Sequence, residues 1–286
     1  DNREIIAETV ALRAEKAALL GYPHYAALKL DNTMAKTAEN VNALLMQVWE
    51  KARLRALEEE ADLARIIAAE GKNHGVQPWD WRHYAEKLRA RTYNFSESEL
   101  KPYLQLEKVI DACLDVAERL FSIRAVRRED VAGYHPDVRV YEIRDANDAL
   151  VALFMGDYFA RPSKRSGAWM SSFQSQHRLP LKNGAKGEIP IIYNVCNFAK
   201  PAEGKPALLS IDDARTLFHE FGHGLHGMLS NVTYPSVAGT GVSRDFVELP
   251  SQLYEHWLTV PEILKEYALH YETGAPMPAE LLDKVL

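Results

Sequence analysis

The sequence is poor in cysteine and has no long apolar run. Its 286 residues include only two cysteines, Cys113 and Cys196, which is too few for a disulfide framework. No segment approaches the roughly 18 consecutive apolar residues that a membrane-spanning helix needs. These absences favour a reducing compartment and exclude a membrane partner, so we expect a cytoplasmic protein.

Blocks of one charge and low-complexity linkers are also missing. The net charge is −6, and neither sign is concentrated in a tail, which argues against nucleic acid as a partner. Apolar residues make up 47% of the chain and charged residues 26%, as in ordinary globular proteins. The length allows one large core or two small ones.

The two ends of the sequence do not look like natural termini. The chain starts at Asp1 without an initiator methionine, and both ends lie in segments with helical patterning. We therefore expect a region truncated at both ends. No signal peptide is visible, and one ahead of Asp1 stays open.

Helical periodicity dominates both ends of the sequence, and strand patterns occupy the middle. Apolar spacing predicts helices over 1–20, 37–69, 80–91 and 102–123. Alternation over 138–143, a turn at 145–148 and an apolar run over 149–155 predict a hairpin, and 189–195 reads as a third strand.

Helices return from Ile211, where Ser210 can cap the new helix and Asp213 stands three residues on. We predict a mainly α protein with one small β-sheet, of the α+β class. Within a single region, 1–130 would be helical, 131–200 would hold the sheet and loops, and 201–286 would hold the helices of a metal site.

The strongest local pattern lies in residues 217–226, which read Leu-Phe-His-Glu-Phe-Gly-His-Gly-Leu-His. His219 and His223 are four residues apart, so one helix face can turn both imidazoles toward a single metal ion. Glu220 can reach a water molecule activated by that metal without binding the ion itself. A pattern with three fixed positions also occurs by chance, so its context decides between a metal site and a polar helix face.

A third ligand is available downstream. Pro250 is tolerated only in the first turn of a helix, which places Glu248 near a helix start. The segment between Ser230 and Gly241 is rich in loop-forming residues and can return the chain toward His219 and His223. A catalytic zinc takes three protein ligands and leaves its fourth position to water.

These residues give the chain a recognisable likeness. Residues 219–226, together with Phe246-Val247-Glu248-Leu249-Pro250-Ser251-Gln252, resemble the M3 family of zinc oligopeptidases. The likeness continues over 78–81, 134–140, 167–170 and 194–198. Residues 78–81 and 255–257 are more similar to the branch that releases C-terminal dipeptides than to the oligopeptidase A branch.

The resemblance implies a metallopeptidase that acts on short peptides. It implies one Zn²⁺ per chain, held by His219, His223 and Glu248, with Glu220 as general base and a C-terminal dipeptide as product. Two alternatives stay open: an oligopeptidase that cleaves internal bonds, and a fragment that binds zinc and peptide without turnover. The second arises because the Gly/Tyr-rich substrate segment of the family does not follow Glu248 here.

Other candidate residues surround this set. Gln252 and Glu255 follow Glu248 at helical spacing, so either could accept the second N–H of a histidine ligand, although a solvated helix face fits Glu255 equally well. Gly167, Ala168 and Trp169 could form a sheet edge along which substrate adds as a strand, or a tight turn that requires glycine.

Release of a dipeptide also requires a cation for the substrate's carboxylate. Arg161, Lys164, Arg165 and Arg244 are available, and the sequence selects none of them. It does not predict an oligomeric state.

Overall fold

The computed structural model describes residues 2–93, 97–182 and 184–285, and clustering of the chain gives two compact units. The first unit is Asp1–Phe95 with Ser243–Phe246, and the second is Ser96–Val242 with Val247–Leu286. The predicted division at residues 130 and 200 stays a prediction. Among the described residues, every helix is too short or too polar to cross a lipid bilayer.

The first unit is helical, as predicted for this part of the chain. The hydroxyl of Thr37 caps its longest helix by accepting a hydrogen bond of 3.2 Å from the Asn40 N–H. Near the other end of that helix, buried aliphatic side chains pack against Tyr84 of the next one. The helices are α1 (Arg3–Leu19), α2 (Tyr25–Leu30), α3 (Ala38–Ala69) and α4 (Trp81–Tyr93).

The second unit is built on a five-stranded sheet with the strand order β1-β2-β3-β7-β4. Neighbouring strands are antiparallel except β3 and β7, which are parallel. Two further strands, β5 and β6, form a separate antiparallel pair. The strands are β1 (Arg124–Arg127), β2 (Arg139–Arg144), β3 (Leu150–Phe159), β4 (Trp169–Gln174), β5 (His177–Pro180), β6 (Lys186–Glu188) and β7 (Ile191–Phe198).

The predicted hairpin is confirmed as β2 and β3, and the predicted third strand is confirmed as β7. Strands β1 and β4 were not predicted. Both lie at the edges of the sheet, where one neighbour supplies all of the pairing. Two serines in β4 remove the apolar alternation that signals a strand.

Helices flank this sheet in the second unit. Ser210 and Asp213 form a complete capping box at the start of α7, as the sequence predicts. The ring of Phe221 on α7 meets Phe154 of β3 edge-on at 5.1 Å. The helices are α5 (Glu97–Leu100), α6 (Leu106–Phe121), α7 (Ile211–Met228), α8 (Glu248–Glu255), α9 (Pro261–Tyr267) and α10 (Ala279–Val285). The mainly helical class with a small mixed sheet is therefore confirmed.

Helices α7 and α8 approach each other closely at Gly222. A Cβ atom added there would lie 2.7 Å from the Cα of Ser251 and 3.0 Å from the carbonyl oxygen of Pro250. Gly224, on the same helix, has more room, because its nearest neighbour is the Asn194 side chain at 3.5 Å. The absence of a side chain at Gly222 therefore allows the two backbones to pack together.

This difference gives a matched pair of variants. Gly222→Ala should lower the free energy of unfolding by about 1–3 kcal/mol, because the new methyl group overlaps backbone atoms of α8. Gly224→Ala should leave stability unchanged or raise it by up to about 1 kcal/mol, because alanine is the better helix former. Urea unfolding followed by circular dichroism measures both. Equal losses in the two variants would contradict the tight contact at Gly222.

Candidate metal centre

The two histidines of α7 and the first residue of α8 converge on one point. The Nε2 atoms of His219 and His223 lie 3.2 and 3.0 Å from Oε2 of Glu248. All three donor atoms lie within 4.8 Å of one another. A tetrahedral zinc with bonds of about 2.0–2.1 Å separates its donors by about 3.3 Å. The described side chains thus fit a zinc-sized ion with little movement.

Local structure explains this convergence. The spacing of His219 and His223 places both rings on one face of α7, with centroids 4.9 Å apart. Glu248 begins α8, as the position of Pro250 predicts. The buried hydroxyl of Ser251 lies 2.9 Å from the carbonyl oxygen of Glu248 and 3.0 Å from its Oε2. Ser251 thereby orients the carboxylate toward the histidines.

The second nitrogen of His219 has a carboxylate partner. Its Nδ1 lies 2.6 Å from Oε1 of Glu255. When Nδ1 carries the proton and donates a hydrogen bond to Glu255, Nε2 carries no proton, and its lone pair is free to bind a metal. Gln252, the other residue proposed from helical spacing, is exposed. The structure therefore brings Glu255 to a candidate ligand, and the role of Gln252 stays a prediction.

His223 is more deeply placed than His219. Its side chain is only 10% exposed, and burial lowers its pKa, which favours the neutral imidazole that a metal requires. Its Nδ1 has no hydrogen-bond partner among the described residues, nor has the buried Oδ1 of Asn194 on β7. The family likeness of residues 194–198 includes Asn194, but it gave this residue no role at the centre.

Glu220 lies beside this set without belonging to it. Burial raises its pKa to about 7; nearby His219 opposes this shift, and the charge of Glu248 reinforces it. A hydrogen bond from the backbone of Met170, on β4, lowers the pKa. A carboxyl group that titrates near neutrality can both accept and return a proton, and here it touches the edge strand of the sheet.

One side of the centre is open to solvent. The side chain of Glu248 is 51% exposed and that of His219 is 24% exposed. The open side leaves room for a water molecule, which a closed structural metal site would not provide.

The residues predicted to form a sheet edge lie at one. Trp169 is the first residue of β4, which pairs only with β7 among the described strands, and Gly167 and Ala168 come directly before it. Gly167 has a φ of +88°, and a Cβ atom added there would meet no described atom within 4 Å, so the backbone at this residue is accessible. Whether these residues bind substrate stays a prediction.

The whole chain is similar to a family of known proteins. The model of Peptidase family M3 matches residues 1–286. The chain is 47% identical to the dipeptidyl carboxypeptidase of Escherichia coli over 286 residues, which are 100% of this chain and 41% of that protein.

Oligopeptidases show a similar degree of likeness. The chain is 42% identical to oligopeptidase A of Escherichia coli, covering 100% of this chain and 42% of that protein. It is 36% identical to organellar oligopeptidase A of Arabidopsis thaliana, covering 100% of this chain and 37% of that protein. The chain thus spans about two fifths of the length of these curated relatives.

Proposed function

Because the chain belongs to peptidase family M3, we propose that it forms the zinc-binding part of a peptidase that hydrolyses short peptides. The convergence of His219, His223 and Glu248 on one point carries this proposal. In it, these three residues hold a single zinc ion and Glu220 acts as general base.

In this proposal, the metal ligands, the general base and the residues that position them have different roles in hydrolysis. Zinc bound at this centre would act as a Lewis acid, making water more acidic and the peptide carbonyl more electrophilic. Glu220 takes the proton of the attacking water and returns it to the leaving amine. The Met170 backbone holds the Glu220 carboxylate at the sheet edge, and Glu255 holds the ring of His219 in one tautomer.

The edge of β4 is the proposed support for the substrate. A peptide that adds to an open sheet edge gains backbone hydrogen bonds that do not depend on its sequence. Gly167 and Ala168 carry little or no side chain, so a second backbone can approach them closely. Trp169 would contact the bound peptide next to Glu220.

The proposed product is a C-terminal dipeptide. Two of the relatives are named dipeptidyl carboxypeptidase and are 47% and 45% identical to this chain, against 42% for oligopeptidase A. The alternative is cleavage of internal bonds. Peptides with free or amidated C-termini separate the two, because only dipeptide release depends on the terminal carboxylate.

Metal removal tests the proposal as a whole. We expect one zinc per chain by elemental analysis, loss of cleavage of a short peptide after dialysis against a chelator, and recovery when one equivalent of zinc is returned. Magnesium serves as the control ion, because its octahedral oxygen chemistry does not suit two imidazoles. Cleavage that persists without bound metal would contradict the proposal, and zinc binding without cleavage would favour the binding-only alternative.

A further inference from the structure

Asp245 stands three residues before Glu248 and contacts the backbone far away in the sequence. Its Oδ1 accepts a hydrogen bond of 3.0 Å from the N–H of Met34, and its Oδ2 accepts one of 2.9 Å from the N–H of Ala35. All three residues of this contact belong to the first compact unit. Hydrogen bonds to a carboxylate are roughly twice as strong as those between neutral groups. The side chain thus ties together segments that are 210 residues apart.

The Asp245 carboxyl is ionised in this contact. The hydrogen bond from Met34, followed by that from Ala35, lowers its pKa below the usual value, and slight desolvation opposes the shift. A carboxylate has acceptors on both oxygens, as two N–H donors require. The contact should therefore be present throughout the neutral range and be lost only as the pH falls through the lowered pKa.

The turn between α2 and α3, which receives Asp245, is itself held by hydrogen bonds. Thr33 is buried, and its N–H and its hydroxyl both donate to the carbonyl oxygen of Leu30, at 3.0 and 2.8 Å. The carbonyl oxygen of Ala35 accepts a further bond of 2.8 Å from the side chain of Asn40. The N–H groups that bind Asp245 therefore lie on a turn with little freedom to move.

The start of α8 needs support from outside the helix. Glu248 is the first residue of α8, and the residue before it, Val247, has an aliphatic side chain that cannot accept bonds from the free N–H groups of the first turn. Helix ends fray. A metal ligand at such an end keeps its place only if neighbouring structure holds the backbone.

The link from Asp245 to Glu248 is short and turned. The N–H of Phe246 donates to the carbonyl oxygen of Ser243 at 2.9 Å, which closes a turn around Asp245. Val247 follows with helical dihedral angles, φ −56° and ψ −29°, and α8 begins at the next residue. Because the chain passes from this turn directly into the helix, a displacement of Asp245 moves the start of α8 with it.

We propose that Asp245 is a positioning residue for the metal centre, whose hold on the turn before α3 keeps Glu248 in place and raises the affinity of the centre for zinc. This inference rests on the proposed function, because it concerns the zinc centre on which that function depends. Asp245 would touch neither the metal nor the substrate. Its effect would pass through the backbone of residues 246–248.

Zinc affinities of the full-length protein, measured by competition with a chromophoric chelator, test this role. Asp245→Ala should bind zinc about 10-fold more weakly than the unsubstituted protein, which is the lower end of the loss known for groups that support a ligand. Asp245→Asn keeps one acceptor oxygen and loses the other, so it should recover part of the affinity.

Asp145→Ala is the matched control. Asp145 also accepts two backbone hydrogen bonds, each of 2.9 Å, from Asn147 and Ala149 in the turn between β2 and β3. Its replacement removes a comparable pair of bonds at a place with no short link to a metal ligand. The zinc affinity of Asp145→Ala should equal that of the unsubstituted protein. Equal affinities in Asp145→Ala and Asp245→Ala would overturn the role of Asp245.

A double-mutant cycle distinguishes positioning of Glu248 from general support of the fold. In a protein that already carries Glu248→Ala, adding Asp245→Ala should not change the remaining zinc affinity, because the effect passes through the missing carboxylate. A further loss of about 10-fold in this background would show that Asp245 supports the fold and would overturn the proposal.

Hydrogen exchange in the metal-free protein tests the contact itself. The amide hydrogens of Met34 and Ala35 should exchange faster in Asp245→Ala than in the unsubstituted protein, and equal rates would contradict the anchor. None of these measurements needs turnover. If the unsubstituted protein binds zinc but cleaves no peptide, the peptidase function fails and the affinities still decide the role of Asp245. If it binds no zinc, both proposals fail.

Discussion

Replacing Glu220 by glutamine should lower the kcat of peptide hydrolysis by roughly 10²-fold or more while leaving the zinc content unchanged. The amide has nearly the shape of the carboxylate but cannot accept the proton of the attacking water. Because the Glu220 carboxylate lies outside the three-donor cluster, its loss removes no metal ligand. Single-turnover cleavage of a short peptide, together with elemental analysis of the same sample, measures both quantities.

Asp212→Asn is the matched control for this variant. Asp212 lies in the first turn of the same helix, and its side chain is 84% exposed and paired only with Arg215 among the described residues. Its substitution should leave both kcat and zinc content at the level of the unsubstituted protein. Loss of zinc from Glu220→Gln, or turnover close to normal, would show that Glu220 does not act as the base.

Replacing Glu248 by alanine should weaken zinc binding by more than about 100-fold. The substitution leaves two imidazoles and removes the only anionic donor of the cluster. Loss of an outer hydrogen-bond partner already weakens metal sites by about 10- to 100-fold, so loss of a direct ligand should exceed that range. Competition with a chromophoric chelator gives the dissociation constants.

Two further variants show how the loss of zinc affinity depends on which carboxylate is removed. Glu255→Gln keeps all three donors and removes only the carboxylate bound to Nδ1 of His219, so its zinc affinity should fall by about 10- to 100-fold. Glu203→Ala removes an exposed carboxylate of the same unit and should change nothing. If Glu248→Ala binds zinc as tightly as Glu203→Ala does, Glu248 is not a ligand.

The parts of the centre that could be predicted from the sequence are those set by local rules. Helical spacing alone brings His219 and His223 to one face, and the restriction on Pro250 fixes Glu248 near a helix start. The helix cap at Ser210 could likewise be predicted, because it depends only on Asp213, three residues further along the chain. Each of these features depends on residues within about one helical turn of one another, so the local sequence is enough to predict it.

The parts that could not be predicted depend on residues distant in sequence. Helical spacing left Gln252 and Glu255 as equal candidates, and only the packing of α7 against α8 brings Glu255 to His219. Strand β4 exists because β7 pairs with it, and nothing in its own composition requires a strand. The pairing of Arg161 and Lys164 with the buried carboxylate of Asp157 likewise depends on how the chain folds, because no rule of local spacing relates these residues.

The contact at Gly222 bears on which ions the centre can accept. The lack of a side chain at Gly222 lets the helix with two imidazoles pack closely on the helix with the carboxylate, and the three donors lie within 4.8 Å of one another, a spacing that suits a small ion. Calcium takes six to eight oxygen donors at about 2.3–2.6 Å, a shell that this narrow, nitrogen-rich arrangement does not provide. Cobalt and manganese accept the same donors at similar distances, and affinity alone distinguishes such metals poorly. The number and type of donors therefore disfavour calcium, and the metal supply of the cell decides among the ions that fit.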